Sequence, residues 1–315
     1  MTETAVVTGA AGFIGRWVVA DLFERGVSVR GVDDLSAGSR ENVAAFTEDD
    51  RFALREANVR DRDMIERLLE DAEVCIHLAA EIDVHESLEY PERHFETNVE
   101  GTYAVLEACR ETDTRLCLVG TCMIYDLADQ KGGIDESHPV VPASPYAGSK
   151  LAAENLALSY YHGYDLPITT LRPFNTYGPY QRTGAAGGVV PIFVERDVEG
   201  KPLKIYGDGT QTRDLLYVTD CARFVVDAAF SEEAIGETIN AGTGVDVSVN
   251  DLAEVIATDG TAIEHVPHHH PQSEIDKLVC DPTKAKEMLG WEPEVSLEAG
   301  IERLRTWFET GGNSE

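Results

Sequence analysis

Three side chains carry complementary chemistry: Thr121, Tyr146 and Lys150. Tyr146 and Lys150 stand four residues apart in YAGSK, within a stretch (145–162) that reads as a helix, so both project from one face. A tyrosine hydroxyl titrates near ~10, and an adjacent ammonium favours the phenolate. The pair is therefore a candidate general base. Thr121 closes RLCLVGT, at the carboxyl end of an expected strand. Ligands of open parallel sheets gather at such ends, so its hydroxyl is placed to bond a substrate oxygen. Y-x-x-x-K recurs by chance in many helices, and the weight of this one comes from what precedes it.

That is TGAAGFIG, residues 8–15, which follows an apolar strand and opens a helix. Gly9 suits the tight turn, Gly12 the close approach of backbone to a diphosphate, and Gly15 the packing of the helix on the strand; Phe13 and Ile14 begin the helix whose N-terminus faces the diphosphate. Asp33, 18 residues beyond Gly15, ends the second strand in VRGVDDLS, with Asp34 beside it. A carboxylate there accepts bonds from ribose hydroxyls and repels a 2′-phosphate, which favours NAD over NADP; the alternative is a carboxylate that only caps the turn. Oxidised nicotinamide would add positive charge near Tyr146.

The elements that must hold these groups alternate. TAVVTG, VSVRGVDD, VCIHLAA, RLCLVGT and PITTLRP read as strands, with helices over 13–25, 61–71, 92–111 and 145–162. This predicts an α/β fold, a Rossmann-like doubly wound parallel sheet with helices on both faces. After Pro173 glycine and proline become frequent, a helix returns over 216–230 and ETINAGTG reads as a strand. The expected division is a dinucleotide-binding domain over 1–173, joined again by 214–242, and a smaller C-terminal α/β substrate-binding lobe from 174–213 and 243–315.

Composition narrows the function. The 315 residues include 57 acidic against 26 basic, a formal charge of −31, and only seven of the basic residues are lysines. Such a chain repels nucleic acid and anionic membranes. Acids spread along the whole length, with lysine scarce, point to a protein of a salt-accumulating halophile. No apolar run reaches the ~20 residues of a membrane helix, and the N-terminus lacks a signal-peptide pattern, so a cytoplasmic location is expected. The six cysteines show no C-x-x-C pair and read as buried small hydrophobes.

With these motifs the chain resembles the extended short-chain dehydrogenase/reductases, specifically the nucleotide-sugar epimerases and dehydratases. The resemblance rests on TGAAGFIG, VDDLS, HLAA (77–80), NVEGT (98–102), Tyr146 with Lys150, LRPFNTYGP (171–179), YGDGTQTRD (206–214) and DPTKAKEMLGW (281–291). It implies that Asn58 and Val59 contact adenine, that Leu78, Ala79 and Ala80 flank the pyrophosphate, that Asn98 and Pro173 line the cofactor site, and that Lys150 also bonds the nicotinamide ribose. It implies substrate contacts at Val84, Asn175, Val190, Ile192, Tyr206 and Arg213. It places His270 where many relatives have the arginine of Arg-Pro-Gly. A UDP-sugar or other nucleotide-diphosphate sugar is the implied substrate. A homodimer through helices near 95–111 and 146–162 is the implied assembly.

In the family Tyr146 would remove the 4-hydroxyl proton while C4 is oxidised. In 4,6-dehydratases the threonine is followed by an Asp-Glu acid/base pair; here Cys122 and Met123 stand in those places, and methionine exchanges no protons. Two outcomes remain. One is elimination across C5–C6 with Cys122 as the base, because Cys122, Met123 and Asp126 resemble the tunicamycin-pathway UDP-N-acetylglucosamine 5,6-dehydratases. The other is 4-epimerisation, with Cys122 and Met123 merely packed. The run His268-His269-His270 does not converge on one ion, and no metal is expected.

Overall fold

The computed structural model describes residues 3–126, 132–183, 187–267 and 277–312. The first half runs β1 (Thr4–Thr8), α1 (Phe13–Glu24), β2 (Ser28–Asp33), a 3-10 turn (Arg40–Phe46), β3 (Phe52–Glu56), α2 (Arg62–Leu69), β4 (Val74–His77), α3 (Val84–Glu89), α4 (Pro91–His94), a π-turn (Phe95–Glu100), α5 (Gly101–Thr112), β5 (Arg115–Val119), a second 3-10 turn (Cys122–Ile124), α6 (Pro145–Tyr164) and β6 (Ile168–Pro173). The second half adds β7 (Asn175–Tyr177), α7 (Val189–Val198), β8 (Leu203–Tyr206), β9 (Thr212–Arg213), β10 (Leu215–Tyr217), α8 (Val218–Phe230), β11 (Thr238–Ala241), β12 (Val247–Ser248), α9 (Val249–Ile256), β13 (Ile263–Val266), α10 (Thr283–Leu289) and α11 (Leu297–Glu309).

Seven strands form one parallel sheet in the order β11-β6-β5-β4-β1-β2-β3. Its central strands are apolar on both faces because both are covered. Alternate residues of β1 show this directly: Ala5 and Val7 enter a core shared with α1 and α8, whereas Val6 enters the opposite core, with Ile65 of α2 and Val105 of α5. Side-chain caps mark where helices begin, Asp61 accepting from the Met64 amide and Ser144 from the Ala147 amide.

The expected doubly wound sheet is present, with three revisions. VCIHLAA supplies the fourth strand, because β3 precedes it. In β3 only Phe52 is buried, so FALRE lacks the apolar run that betrays the inner strands. The single helix expected over 92–111 is interrupted by the π-turn, whose one buried residue is Asn98. The helix expected from 216 begins at Val218, preceded by the short β10. A further apolar cluster gathers Val190 and Phe193 of α7, Leu203 and Ile205 of β8, Leu252 of α9 and Ile301 of α11. Residues 215–241 return to the sheet, α8 against α1 and β11 beside β6.

The six cysteines are buried thiols, as their apolar settings suggested. Among the described residues no helix is long and apolar enough to cross a membrane, and no group of three acidic, histidine or cysteine side chains is arranged to hold a metal ion. The run His268-His269-His270 lies outside the described residues.

Candidate active site

The glycine turn is wedged between strands. Gly9 has φ +69°, and a Cβ there would lie 2.8 Å from the Ala79 amide nitrogen. At Gly15 a Cβ would lie 2.0 Å from the Gly9 carbonyl oxygen, so α1 presses on the turn itself. Gly12 occupies the N-cap of α1, with no side chain capping the helix and no acid in its first turn. The first amides of α1 thus have no competing side-chain anion, which is the arrangement that receives a phosphate. Phe13 and Ile14 are half-buried on that first turn, Ile14 against the core.

The expected cofactor residues divide. Asp33 is 8% exposed, and its carboxylate accepts from the amides of Ala11 (2.9 Å) and Leu35 (2.8 Å). It holds the glycine turn to the end of β2 and keeps lone pairs for a further donor. Burial raises its pKa. Asp34 accepts from Ser36 and, at 3.1 Å, from the side-chain amide of Asn58, which places both at the carboxyl edge of β2 and β3. Leu78 and Ala79 donate their amides to the Thr8 hydroxyl, each at 3.2 Å, and Ala80 follows them, half-buried. Pro173 closes β6, buried.

Two of the expected residues have side chains engaged within the protein. The side chain of Val59 packs into the core on the α2 and α5 side. Asn98 spends its side chain within the protein: its amide nitrogen donates to the Glu81 carbonyl and the Ser149 hydroxyl, both at 2.9 Å, and its oxygen accepts from the Glu81 amide at 2.8 Å. It ties the π-turn to α6 and to the segment after β4.

Thr121, Cys122, Tyr146 and Lys150 come together at the carboxyl ends of β5 and β6, all buried. The Thr121 hydroxyl caps the second 3-10 turn by accepting from the Met123 amide, and lies near enough to the Tyr146 phenol to favour its ionised form. The expectation that Lys150 would lower the tyrosine is not met. Burial pushes the Tyr146 phenol up to about 12, opposed chiefly by the Thr121 hydroxyl. The Lys150 ammonium instead donates to the Val119 carbonyl at 2.7 Å, and burial lowers it to about 8. Nor does Cys122 keep an ordinary thiol. It packs with Tyr125, Ile134, Phe174, Leu278 and Cys280, and burial together with Asp214 pushes it up to about 12. Met123 lies against the same cluster.

Of the expected substrate residues, Asn175 on β7 and Arg213 on β9 reach the site's margin; the Arg213 charge acts on the Cys122 thiol, as does that of Asp214 beside it. Asp214 is fully buried and accepts from Thr243, Gly244 and Cys280, which fixes the strand end that carries Arg213. Val84 opens α3 and is half-buried, and Tyr206 is 42% exposed at the end of β8. Val190 is 1% exposed and Ile192 packs against the same cluster with Phe193 and Leu203, so both shape that further core more than a surface. His270 lies outside the described residues. Four buried polar atoms in the neighbouring segments have no hydrogen-bond partner among the described residues: Asn175 Nδ2, Gln181 Oε1, Gln211 Oε1 and Thr212 Oγ1. Buried polar atoms are ordinarily satisfied, so these fit a polar ligand. Gln211 and Thr212 lie within the motif YGDGTQTRD but were not singled out there, and Gln181 had no signature beyond adjacency to LRPFNTYGP.

The chain matches the family model described as GDP-mannose 4,6 dehydratase over residues 6–304. It is 38% identical to a UDP-glucose 4-epimerase of Mycolicibacterium smegmatis, with 96% of this chain and 97% of that protein aligned. Among solved structures, Pal from Bacillus thuringiensis superposes with a TM-score of 0.93 at 48% identity, covering 98% of this chain and 99% of that one. The UDP-glucuronic acid 4-epimerase of Bacillus cereus, in complex with UDP-glucuronic acid and NAD, superposes at 0.89 with 30% identity, covering 98% and 99%.

Proposed function

The chain belongs to this GDP-mannose 4,6-dehydratase family of nucleotide-sugar epimerases and dehydratases, and from that premise we propose that it oxidises a UDP-sugar transiently at C4 with bound NAD. The observation that carries the reading is the burial of Thr121, Tyr146 and Lys150 together at the strand ends that face the glycine turn, with Tyr146 and Lys150 one helical turn apart. The Gly9–Gly15 turn, the uncapped helix N-terminus and the Asp33 carboxylate fit NAD, which when bound supplies the acceptor for the C4 hydride. Thr121 orients the sugar 4-hydroxyl, Tyr146 takes its proton, and Lys150 holds positive charge behind them. Asn175 and Arg213 receive the diphosphate, for which a guanidinium fork is well shaped.

For the fate of the 4-keto sugar we favour elimination across C5–C6 of a UDP-hexosamine. No carboxylate follows Thr121. The proton-bearing side chain that does follow it is Cys122, which acts electrostatically on Tyr146 and feels Arg213. The second reading, 4-epimerisation, is favoured by the burial of that thiol and its high pKa, which suit a packed residue. Incubation with UDP-N-acetylglucosamine and with UDP-glucose, followed by mass and NMR analysis, separates them. Loss of water supports elimination, and an isobaric product supports epimerisation. Absence of any NAD reduction or product with nucleotide sugars would overturn both.

A further inference from the structure

Beneath the candidate catalytic face lies a buried ion pair that the mechanism above does not use. Glu154 follows Lys150 by one turn of α6 and Tyr146 by two, so the three share a stripe. Glu154 and Arg172 of β6 are both buried, joined by a guanidinium–carboxylate contact of 2.7 Å (Nη2 to Oε2), with Nε on the same oxygen at 3.1 Å. The remaining fork of Arg172 donates to the Tyr125 hydroxyl at 2.8 Å, which donates to Asn240 of β11 at 2.7 Å. On its other side the Glu154 carboxylate faces the Thr121 backbone, whose amide favours its ionised form. It also lies so close to Gly120 that a Cβ there would stand 2.1 Å from its Oε1. That contact gives Gly120 a reason to be glycine.

A buried pair of this kind contributes little net stability, because desolvating two ions offsets most of their attraction. Its position is more informative. The titratable groups around Lys150 are Tyr146 and Glu154 on its own helix, His77 on β4 and Cys122 on the turn after β5; His94 of α4 meets the Tyr146 ring edge-on at 6.3 Å, and Arg172 of β6 is the partner of Glu154. Burial drives His77 down to about 3 and pushes Tyr146 and Cys122 up to about 12, so none of these is an anion near neutral pH. The carboxylate of Glu154 is the counter-charge that acts on the Lys150 ammonium.

We propose that Glu154, locked by Arg172, is a positioning residue that holds the Thr121 backbone and the charged Lys150 side chain in register as one unit. The inference rests on the reading of Thr121, Tyr146 and Lys150 given above, but its test does not need turnover. The titration of the buried Lys150 is drawn down toward neutrality. NMR of protein labelled at lysine Cε follows it directly, the signal being assigned by its loss in Lys150→Ala. Glu154→Gln is expected to lower the Lys150 midpoint by about one pH unit or more. Glu154→Asp, which keeps the charge, should hold it near the wild-type value. In the assay of NAD reduction with a UDP-sugar, Glu154→Gln should reduce kcat about 100-fold with little change in KM, the size of effect expected when a reacting group is misplaced.

Gly120→Ala supplies a second probe should Glu154→Gln not fold. Its methyl displaces the carboxylate without removing charge, and it should lower the same midpoint. A Lys150 midpoint unmoved in a folded Glu154→Gln or Gly120→Ala protein overturns the inference, even where melting temperature falls. If wild-type protein reduces no NAD with any UDP-sugar, the active-site reading fails, while the lysine titration still judges Glu154.

Discussion

Cys122 is the residue at which the two fates of the 4-keto sugar part. Its thiol is 3% exposed and is pushed up to about 12. At pH 7 a group of that pKa is ionised in about one molecule in 10⁵, and each unit of pH multiplies the anion about tenfold. If the thiolate removes the C5 proton, the elimination rate should climb about 100-fold between pH 7 and pH 9; the Tyr146 phenol, pushed up to the same value, steepens C4 oxidation alike, so the two steps are told apart by Cys122→Ala. Cys122→Ala should abolish water loss and leave transient NAD reduction in place. Unfolding would not account for such a loss. Removing one sulfur from the cluster of Tyr125, Ile134, Phe174, Leu278 and Cys280 costs about 1 kcal/mol, small beside the stability of a domain. The assay couples stopped-flow absorbance of reduced NAD with mass analysis of quenched product across the pH range. Near-normal product from Cys122→Ala, or a rate of water loss flat between pH 7 and pH 9, refutes the thiolate.

Tyr146→Phe keeps the ring in place and deletes the hydroxyl that faces Thr121; C4 oxidation should fall at least about 1000-fold with the melting temperature nearly unchanged, and retained turnover would remove the phenol from the chemistry. Gly15→Ala puts a methyl 2.0 Å from a backbone oxygen that has nowhere to yield, so α1 must shift. Calorimetry should register about 1–3 kcal/mol of lost stability and fluorescence titration a weaker affinity for NAD, and a neutral substitution would contradict the turn geometry. Net charge −31 should make stability depend on salt. Exposed pairs such as Arg40 with Glu56 lose at most about 1 kcal/mol each on screening, less than is gained by quieting the self-repulsion. The melting temperature should therefore rise by about ten degrees between dilute buffer and molar KCl, and an unchanged value would dismiss the halophilic reading.

The parts of this protein legible in the chain itself are those set by local spacing. The turn from Gly9 to Gly15 follows an apolar strand and opens a helix, Tyr146 and Lys150 share a helical face, and β1, β4 and β5 are mainly apolar runs because both their faces are covered. Each is a pattern within about twenty residues, and local backbone geometry enforces it. What escaped was decided by contacts between distant segments. β3 sits at a sheet edge, where one covered face leaves only Phe52 to mark it. Asn98, named as a cofactor residue, is taken up by Glu81 and by Ser149, 51 positions away. Lys150 turns to the Val119 carbonyl, and Tyr146 rises to about 12 where adjacency alone foretold a fall. The pairing of Glu154 with Arg172 exists because α6 lies across the ends of β5 and β6. Spacing determines which side chains share a face; burial and the partners brought by other layers determine their charge, because the cost of desolvation depends on everything packed around them.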